Sequence, residues 1–281
     1  MPWADIAPGY RPVVASGLDN VSFDTLEVER IGLVVRVTIA HPRSELNAVD
    51  DALHRDLTVL FGLLRRESDA RAAVLTGRGK AFSAGGDYSW FPSLDNPGRL
   101  HDLRRDARHL IGDLVDIEIP VVAAINGPAV GLGATIALLC DVIMMADTAT
   151  IADPHVRVGI VAGDGGTAIW PLLVGPARAK EYLLTGDSLS AVEAERIGLV
   201  NRVVPAGELQ SEALELAKRF AASAPLAIQY TKAAVNKLIK DALNTSFDSA
   251  VGNELLTFMS EDHKEALAAI RDKRPPRFLG R

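Results

Sequence analysis

Cysteine is almost absent from the sequence, because Cys140 is the single example among 281 residues. An intramolecular disulfide is therefore excluded, and no paired Cys/His spacing of the kind that binds zinc occurs. Cys140 itself lies in an apolar segment, so we expect it in the core. We predict that the chain needs no structural metal and works in a reducing compartment, the cytoplasm.

Long hydrophobic runs and an excess of basic charge are also missing. Charges or glycines interrupt every apolar stretch before it reaches the roughly 20 residues that span a bilayer, and the start of the chain lacks the pattern of a secretory signal. The formal net charge of −6 argues against nucleic-acid binding, which depends on clustered Lys and Arg. We therefore predict neither a membrane segment nor a nucleic-acid partner.

The first two thirds of the chain have an α/β pattern, and the last third has a helical one. Short β-branched runs predict strands, and segments of helical length or period separate them. The predicted strands are 33–40, 72–76, 121–125 and 142–146, and the helices between them are 49–66, 99–115 and 133–140. Beyond residue 190 the predicted helices are 208–222, 226–243 and 246–259.

Two glycine-rich turns give the first functional signal, since each follows a predicted strand. The first is TGRGKAFSAGGD at 76–87, whose small residues let backbone N–H groups approach a ligand closely. The second is INGPAVGLG at 125–133, which leads into an apolar helix whose free N-terminal amides favour developing negative charge. Tight turns and close helix–strand packing also use glycine, so the residues alone leave both interpretations open.

Together the two turns resemble the signature of the crotonase (enoyl-CoA hydratase/isomerase) superfamily. Similar motifs are Leu46-Asn47-Ala48, LTGD at 184–187 and KRPPRF at 273–278, so the resemblance covers residues 25–281. It implies an N-terminal extension over 1–24, a spiral of ββα units over 25–205 and a helical trimerisation region over 206–281. It also implies an acyl-CoA substrate, no permanently bound cofactor, and a homotrimer or a hexamer built from two trimers.

The same resemblance implies residue roles. The amides of Gly86 and Leu132 correspond to the two donors that bind the thioester oxygen; Leu132 replaces the usual glycine, but only its amide is needed. The loop from Ala84 to Ser89 would lie along the CoA moiety. The implied CoA contacts are Arg43, Ala48, Ala84, Gly86, Asp87, Tyr88, Ser89 and Lys273.

The sequence departs from the family at the two glutamates that handle water in its hydratases. Thr135 stands at the first glutamate position and His155 at the second, with Asp164 nine residues further on. A carboxylate beside an imidazole can fix its tautomer and raise its basicity. We therefore predict that His155, oriented by Asp164, transfers protons.

Simpler structural roles are the alternative for these residues. His155 can be a surface histidine, and Asp164 can cap the helix that begins near Gly166. His41, His101 and His109 have no such context, so we expect them to face solvent.

Three other functions stay open besides an acyl-CoA enzyme with this dyad. His155 and Asp164, with Trp170-Pro171 nearby, resemble the 6-oxocamphor hydrolase branch, which cleaves a carbon–carbon bond of a cyclic β-diketone. Asp164 also resembles the nucleophile of the 4-chlorobenzoyl-CoA dehalogenases, but 5% aromatic residues are few for an aromatic acyl pocket. Loss of the glutamates also fits a catalytically inactive CoA-binding scaffold.

Overall fold

The computed structural model describes residues 17–94 and 96–281, so most of the predicted N-terminal extension lies outside the described part. A six-stranded sheet forms the centre of the molecule, with the order β1-β2-β3-β4-β6-β9. β1 and β2 form an antiparallel hairpin, and each later neighbour in the sheet pairs in parallel. Its strands are β1 (Leu26–Ile31), β2 (Val34–Ile39), β3 (Ala72–Gly77), β4 (Val121–Ile125), β6 (Val142–Ala146) and β9 (Arg202–Val204).

Burial explains why the central strands are uninterrupted apolar runs in the sequence. Every residue of β3 and β4 is buried, as expected for parallel strands that are covered on both faces. The strands predicted at 33–40, 72–76, 121–125 and 142–146 are confirmed, with ends that differ by at most one residue.

A second, three-stranded sheet lies where the glycine-rich turns meet. It has the order β5-β7-β8 and comprises β5 (Ala129–Val130), β7 (Thr150–Ala152) and β8 (Leu189–Ser190). Isolated bridges also join Val49 to Gly86 and Ser83 to Ala129. Because β5 belongs to the second turn and β7 precedes His155, these pairings bring both turns close to that histidine.

Helices pack around the sheets and form the C-terminal third, which confirms the predicted α/β architecture with a helical end. Among the residues described, no helix combines the length and apolarity needed to cross a membrane. The helices are α1 (Asp51–Leu64), α2 (Pro97–Val115), α3 (Leu132–Leu138), α4 (Gly166–Val174), α5 (Pro176–Thr185), α6 (Ala191–Arg196), α7 (Leu209–Ala221), α8 (Pro225–Phe258) and α9 (Glu261–Arg271).

The prediction of separate helices at 226–243 and 246–259 is wrong, because α8 is continuous. The polar residues at the supposed break are satisfied inside the helix. The hydroxyls of Thr245 and Ser246 donate to the carbonyl oxygens four residues earlier, at 2.8 and 3.0 Å. Such back-bonding lets polar residues continue a helix.

The last two helices return to the α/β part of the molecule. α8 packs against α2 and α4, and α9 packs against the 3-10 helix His155–Val158. Nδ1 of His263 on α9 lies 2.7 Å from the carbonyl oxygen of Val158. The C-terminal region therefore contributes directly to the surroundings of His155.

Asn47 fixes the first glycine-rich turn. Its φ of 53° lies in the left-handed region, which Asn tolerates better than most residues with a side chain. The buried amide group accepts a hydrogen bond from the amide of His41 (3.1 Å) and donates to the carbonyl oxygens of Arg78 (3.1 Å) and Ala81 (3.0 Å). One side chain thus ties the segment after β2 to the turn after β3.

Replacing Asn47 with alanine should lower the free energy of unfolding by about 2–4 kcal/mol. The buried groups that bond to the Asn47 side chain lose their partners, and alanine tolerates the left-handed conformation less well than asparagine does. Asn47→Gly should cost less, since glycine relieves the backbone strain. Urea denaturation of both variants beside wild type measures the difference. An alanine variant as stable as wild type would show that Asn47 does not hold this turn.

Candidate active site

The two glycine-rich turns touch through the backbone of Gly85. Its φ is 76°, and a Cβ placed there would lie 2.7 Å from the carbonyl oxygen of Val130. A side chain is therefore excluded at the contact. At Gly86 the ring of Phe91 occupies the position that a side chain would take.

The amides of Gly86 and Leu132 are available beside this contact. Neither donates to an acceptor within the described residues, whereas the neighbouring amides of Asp87 and Gly131 donate to backbone carbonyl oxygens at 2.9 and 3.0 Å. Leu132 is the first residue of α3, where helix geometry leaves the amide without an intrahelical acceptor. Both predicted oxyanion donors are thus free to bind a ligand.

His155 lies between two carboxylates. Its Nδ1 is hydrogen-bonded to Oδ1 of the fully buried Asp153, and its Nε2 lies 3.5 Å from Oδ2 of Asp164. Because a carboxylate accepts, Nδ1 carries a hydrogen, and Nε2 is the atom free to exchange a proton. The sequence predicted the orienting role for Asp164, but Asp153 makes the orienting bond and Asp164 faces Nε2.

Burial and charge set the protonation of this group. Burial lowers the pKa of His155, but the charges of Asp153 and Asp164 outweigh it and raise that pKa to about 10. Burial raises the pKa of Asp164, and the charge of His155 opposes that shift. At neutral pH the raised pKa of His155 favours an imidazolium, whose Nε2 lies 3.5 Å from Oδ2 of Asp164.

Thr135, predicted to occupy the first glutamate position, supports Asp164 through a hydrogen bond. Its hydroxyl donates to Oδ1 of Asp164 at 2.9 Å, and the amide of Gly166 donates to the same atom at 3.3 Å. The N-cap residue of α4 is Gly165, without a side-chain cap, so Asp164 is not the helix cap that was its alternative role. Oδ2 is buried and has no hydrogen-bond partner among the described residues, so it remains able to accept a proton from a ligand.

Glycines on either side of Asp164 make room for other acidic groups. A Cβ on Gly163 would lie 2.6 Å from Oε2 of Glu254, and one on Gly166 would overlap Oδ2 of Asp153. The glycines of this turn therefore let three carboxyl groups approach a single imidazole.

These groups line a cavity of about 70 Å³, which is called the catalytic cavity below. Gly86, Leu132, His155 and Asp164 all line it, together with Glu254 and apolar side chains of α2 and α8. The structure thus brings together the four residues that the sequence predicted to be catalytic.

Glu254 on α8 was missed by the sequence analysis. Burial raises its pKa to about 8 against the opposing charge of His155, so the side chain is a neutral acid at pH 7. No local motif surrounds it. The available signal is its helical spacing with Phe247, Val251 and Phe258, which puts a carboxyl group on an apolar helix face.

Most of the residues expected to contact CoA lie away from the catalytic cavity. Tyr88 and Ser89 line a separate groove, which is called the surface groove below and is bordered by α9. Neither space is lined by Arg43, Ala48, Ala84, Asp87 or Lys273.

The prediction that His41 faces solvent is wrong, whereas His101 and His109 are exposed as expected. The His41 side chain is 3% exposed, and its Nε2 lies 3.1 Å from Oδ1 of Asp50. Its Nδ1 accepts the amide hydrogen of Arg43 at 3.1 Å. Both ring nitrogens thus serve the turn that follows β2.

Asp153, His155 and Asp164 also have the ligand types of a metal site, with one ligand atom of each within 4.8 Å of the others. Nδ1 of His155 is already hydrogen-bonded to Asp153. We therefore interpret the group as a proton-transfer cluster, and the absence of a metal requirement stays a prediction.

Replacing Asp153 with asparagine should lower the pKa of His155 from about 10, because the largest of the charges that raise it is removed. A titration of imidazole ¹⁵N chemical shifts measures this, and His155→Gln identifies the signal. An unchanged titration in Asp153→Asn would rule out the proposed coupling.

The raised pKa of His155 also makes stability depend on pH. The stabilisation of the folded protein by protonated His155 is present below pH 6.5 and is lost as the pH rises to about 10.

Comparison with known proteins places these features in a family. The chain matches the model for enoyl-CoA hydratase/isomerase over residues 29–281. A relative named "probable enoyl-CoA hydratase, mitochondrial", from Dictyostelium discoideum, is 34% identical over 254 residues, which cover 90% of each chain.

Two solved structures share the fold. An enoyl-CoA hydratase/isomerase from Mycobacterium paratuberculosis matches with a TM-score of 0.83 and 39% identity, covering 87% of this chain and 98% of that one. A β-diketone hydrolase from the cyanobacterium Anabaena, bound to (S)-3-oxocyclohexyl acetic acid, matches with a TM-score of 0.80 and 28% identity, covering 89% and 98%. The expected crotonase fold is confirmed, and the chain belongs to the enoyl-CoA hydratase/isomerase family.

Proposed function

We propose that this protein catalyses acid/base chemistry on an acyl-CoA thioester, with His155 and Asp164 in place of the two glutamates. The observation that carries the proposal is that one cavity is lined by two free amides, the His155 imidazole and a carboxyl oxygen of Asp164 that has no hydrogen-bond partner among the described residues. An enolate needs donors at its oxygen and a proton source near its α-carbon, and this set contains both.

In the hydration of a 2-enoyl thioester, Oδ2 of Asp164 accepts a proton from water while the water oxygen bonds to the β-carbon. The electron pair of the double bond moves toward the thioester oxygen, where the amides of Gly86 and Leu132 stabilise the charge. His155 then donates its Nε2 proton to the α-carbon. Transfer of the proton from Asp164 to His155 restores the resting state, and one water has been added.

Glu254 acts as a neutral acid in this proposal. Its raised pKa of about 8 keeps a third negative charge out of the cavity at pH 7. A neutral carboxyl group can also donate a hydrogen bond to the substrate. The CoA moiety would contact Tyr88 and Ser89, with Arg43 and Lys273 as phosphate partners.

A β-diketone is the second candidate substrate, and the likeness to the Anabaena β-diketone hydrolase favours it. Water would attack one carbonyl carbon and lose a proton to Asp164. The carbon–carbon bond then breaks, and the leaving enolate takes a proton from His155, which gives a carboxylic acid and a ketone. The same amides would bind the negatively charged oxygen.

Assembly as a trimer or hexamer also remains our proposal. Exposed apolar side chains along α8, among them Leu226, Tyr230 and Leu238, support it, because such side chains are common in subunit interfaces.

Turnover of crotonyl-CoA and of a cyclic 1,3-diketone should distinguish the candidates. We expect His155→Ala and Asp164→Asn to lower kcat on the true substrate by about 10²–10⁴-fold, whereas His109→Ala, an exposed histidine, should match wild type. Turnover of the diketone alone would select the second candidate. Binding of CoA without turnover of either compound would favour the scaffold.

The oxyanion role of Leu132 has a direct backbone test. Proline is tolerated at the first position of a helix and has no N–H, so Leu132→Pro should lower kcat by about 10²–10³-fold. Leu132→Ala keeps the amide and serves as the matched control. Equal losses in the two variants would assign the effect to the side chain and overturn the amide's role.

A further inference from the structure

Phe91 and Phe258 separate the catalytic cavity from the surface groove. Both rings line both spaces, and no other described residue does so. Phe91 begins a short 3-10 helix after the first glycine-rich turn, and Phe258 is the last residue of α8. Two segments that are distant in sequence thus meet at one boundary.

The boundary is a packed aromatic cluster. The rings of Phe91 and Phe258 meet edge to face, with centroids 5.4 Å apart, and the His263 ring lies 5.6 and 5.1 Å from them. His263 is held by its contact with the Val158 carbonyl oxygen at 2.7 Å. Phe91 also covers the Cα of Gly86. The rings therefore stand between the groove and one proposed oxyanion donor.

The groove has the character of a binding surface for an extended, partly anionic group. Its lining combines apolar side chains with two cations, Lys264 and Arg271, which also form exposed ion pairs with Glu261 and Asp272. Nε2 of His263 is buried and has no hydrogen-bond partner within the described residues. Since Nδ1 faces a carbonyl oxygen and carries the hydrogen, Nε2 is an unused acceptor beside the rings.

We propose that Phe91 and Phe258 are specificity-determining residues: their contact closes the catalytic cavity toward the groove, and a substrate with an arm in the groove reaches His155 only when the rings separate. The inference rests on the proposed function, because it takes the arm to be that of a CoA thioester. A compact diketone that fits inside the cavity has no arm in the groove. The contact between the two rings therefore lowers the affinity for CoA thioesters more than the affinity for small diketones.

The test compares wild type with Phe91→Ala, Phe258→Ala and the conservative Phe258→Leu. Phe247→Ala is the control, since Phe247 is a buried aromatic residue of α8 that lines neither space. Binding of S-butyl-CoA, a thioether that cannot react, is measured by calorimetry. The kcat/KM values for crotonyl-CoA and a cyclic 1,3-diketone are measured on the same samples, with thermal unfolding as a check of folding.

We expect each alanine variant to bind the thioether about tenfold more tightly, because the cost of populating the open state is removed. The ratio of kcat/KM for thioester over diketone should rise by a similar factor. Phe258→Leu should stay near wild type, and Phe247→Ala should leave the affinity and the ratio unchanged.

Unchanged thioether affinity in both alanine variants, or no thioether binding in any variant, would overturn the inference. If the affinity rises as expected but neither compound is turned over, the role of the two rings is supported and the proposed reaction is excluded. If Phe258→Ala does not fold, Phe91→Ala decides alone, because its side chain lies on a different element.

Discussion

An imidazole ring held between two buried carboxylates is the interaction around which the rest of this site is arranged. Asp153 fixes one nitrogen of His155, and Asp164 faces the other at 3.5 Å. Buried charges are tolerated only when they are paired or hydrogen-bonded. The neighbouring residues must therefore satisfy or limit the negative charge around His155. Thr135 does so by hydrogen-bonding Asp164, and Glu254 does so by remaining protonated at neutral pH.

In the proposed mechanism, a family scaffold changes its acid/base groups without changing its oxyanion site. The free amides of Gly86 and Leu132 come from backbone geometry, which side-chain substitutions barely affect. The proposed proton-transfer groups come from side chains, and a hydroxyl and an imidazole stand at the positions where the resemblance predicted glutamates. Asp164 supplies the carboxylate from a different turn, with Thr135 positioning it.

Local patterns predicted much of this molecule. Buried parallel strands are continuous apolar runs, and glycine turns that require a positive φ or a close backbone contact are visible in sequence. The rest depends on contacts between distant segments. Glu254 has no surrounding motif, and α8 continues past Thr245 because its hydroxyl bonds inside the helix. His41 begins a turn that looks exposed in the sequence, yet its ring is buried and contacts the Asp50 carboxylate and the Arg43 amide. Asp153 lies two residues before His155, and no local pattern marks its side chain as the one that orients the ring.

The turn that carries Asp164 has a consequence for how such a site can change. A methyl group on Gly163 would meet Glu254 and the carbonyl oxygen of Ala250, and one on Gly166 would meet Asp153. A lineage that gains a side chain at Gly166 must move or shorten Asp153, whereas one that gains a side chain at Gly163 must also shift the backbone of α8. The two glycines therefore limit which combinations of acidic groups can coexist around His155.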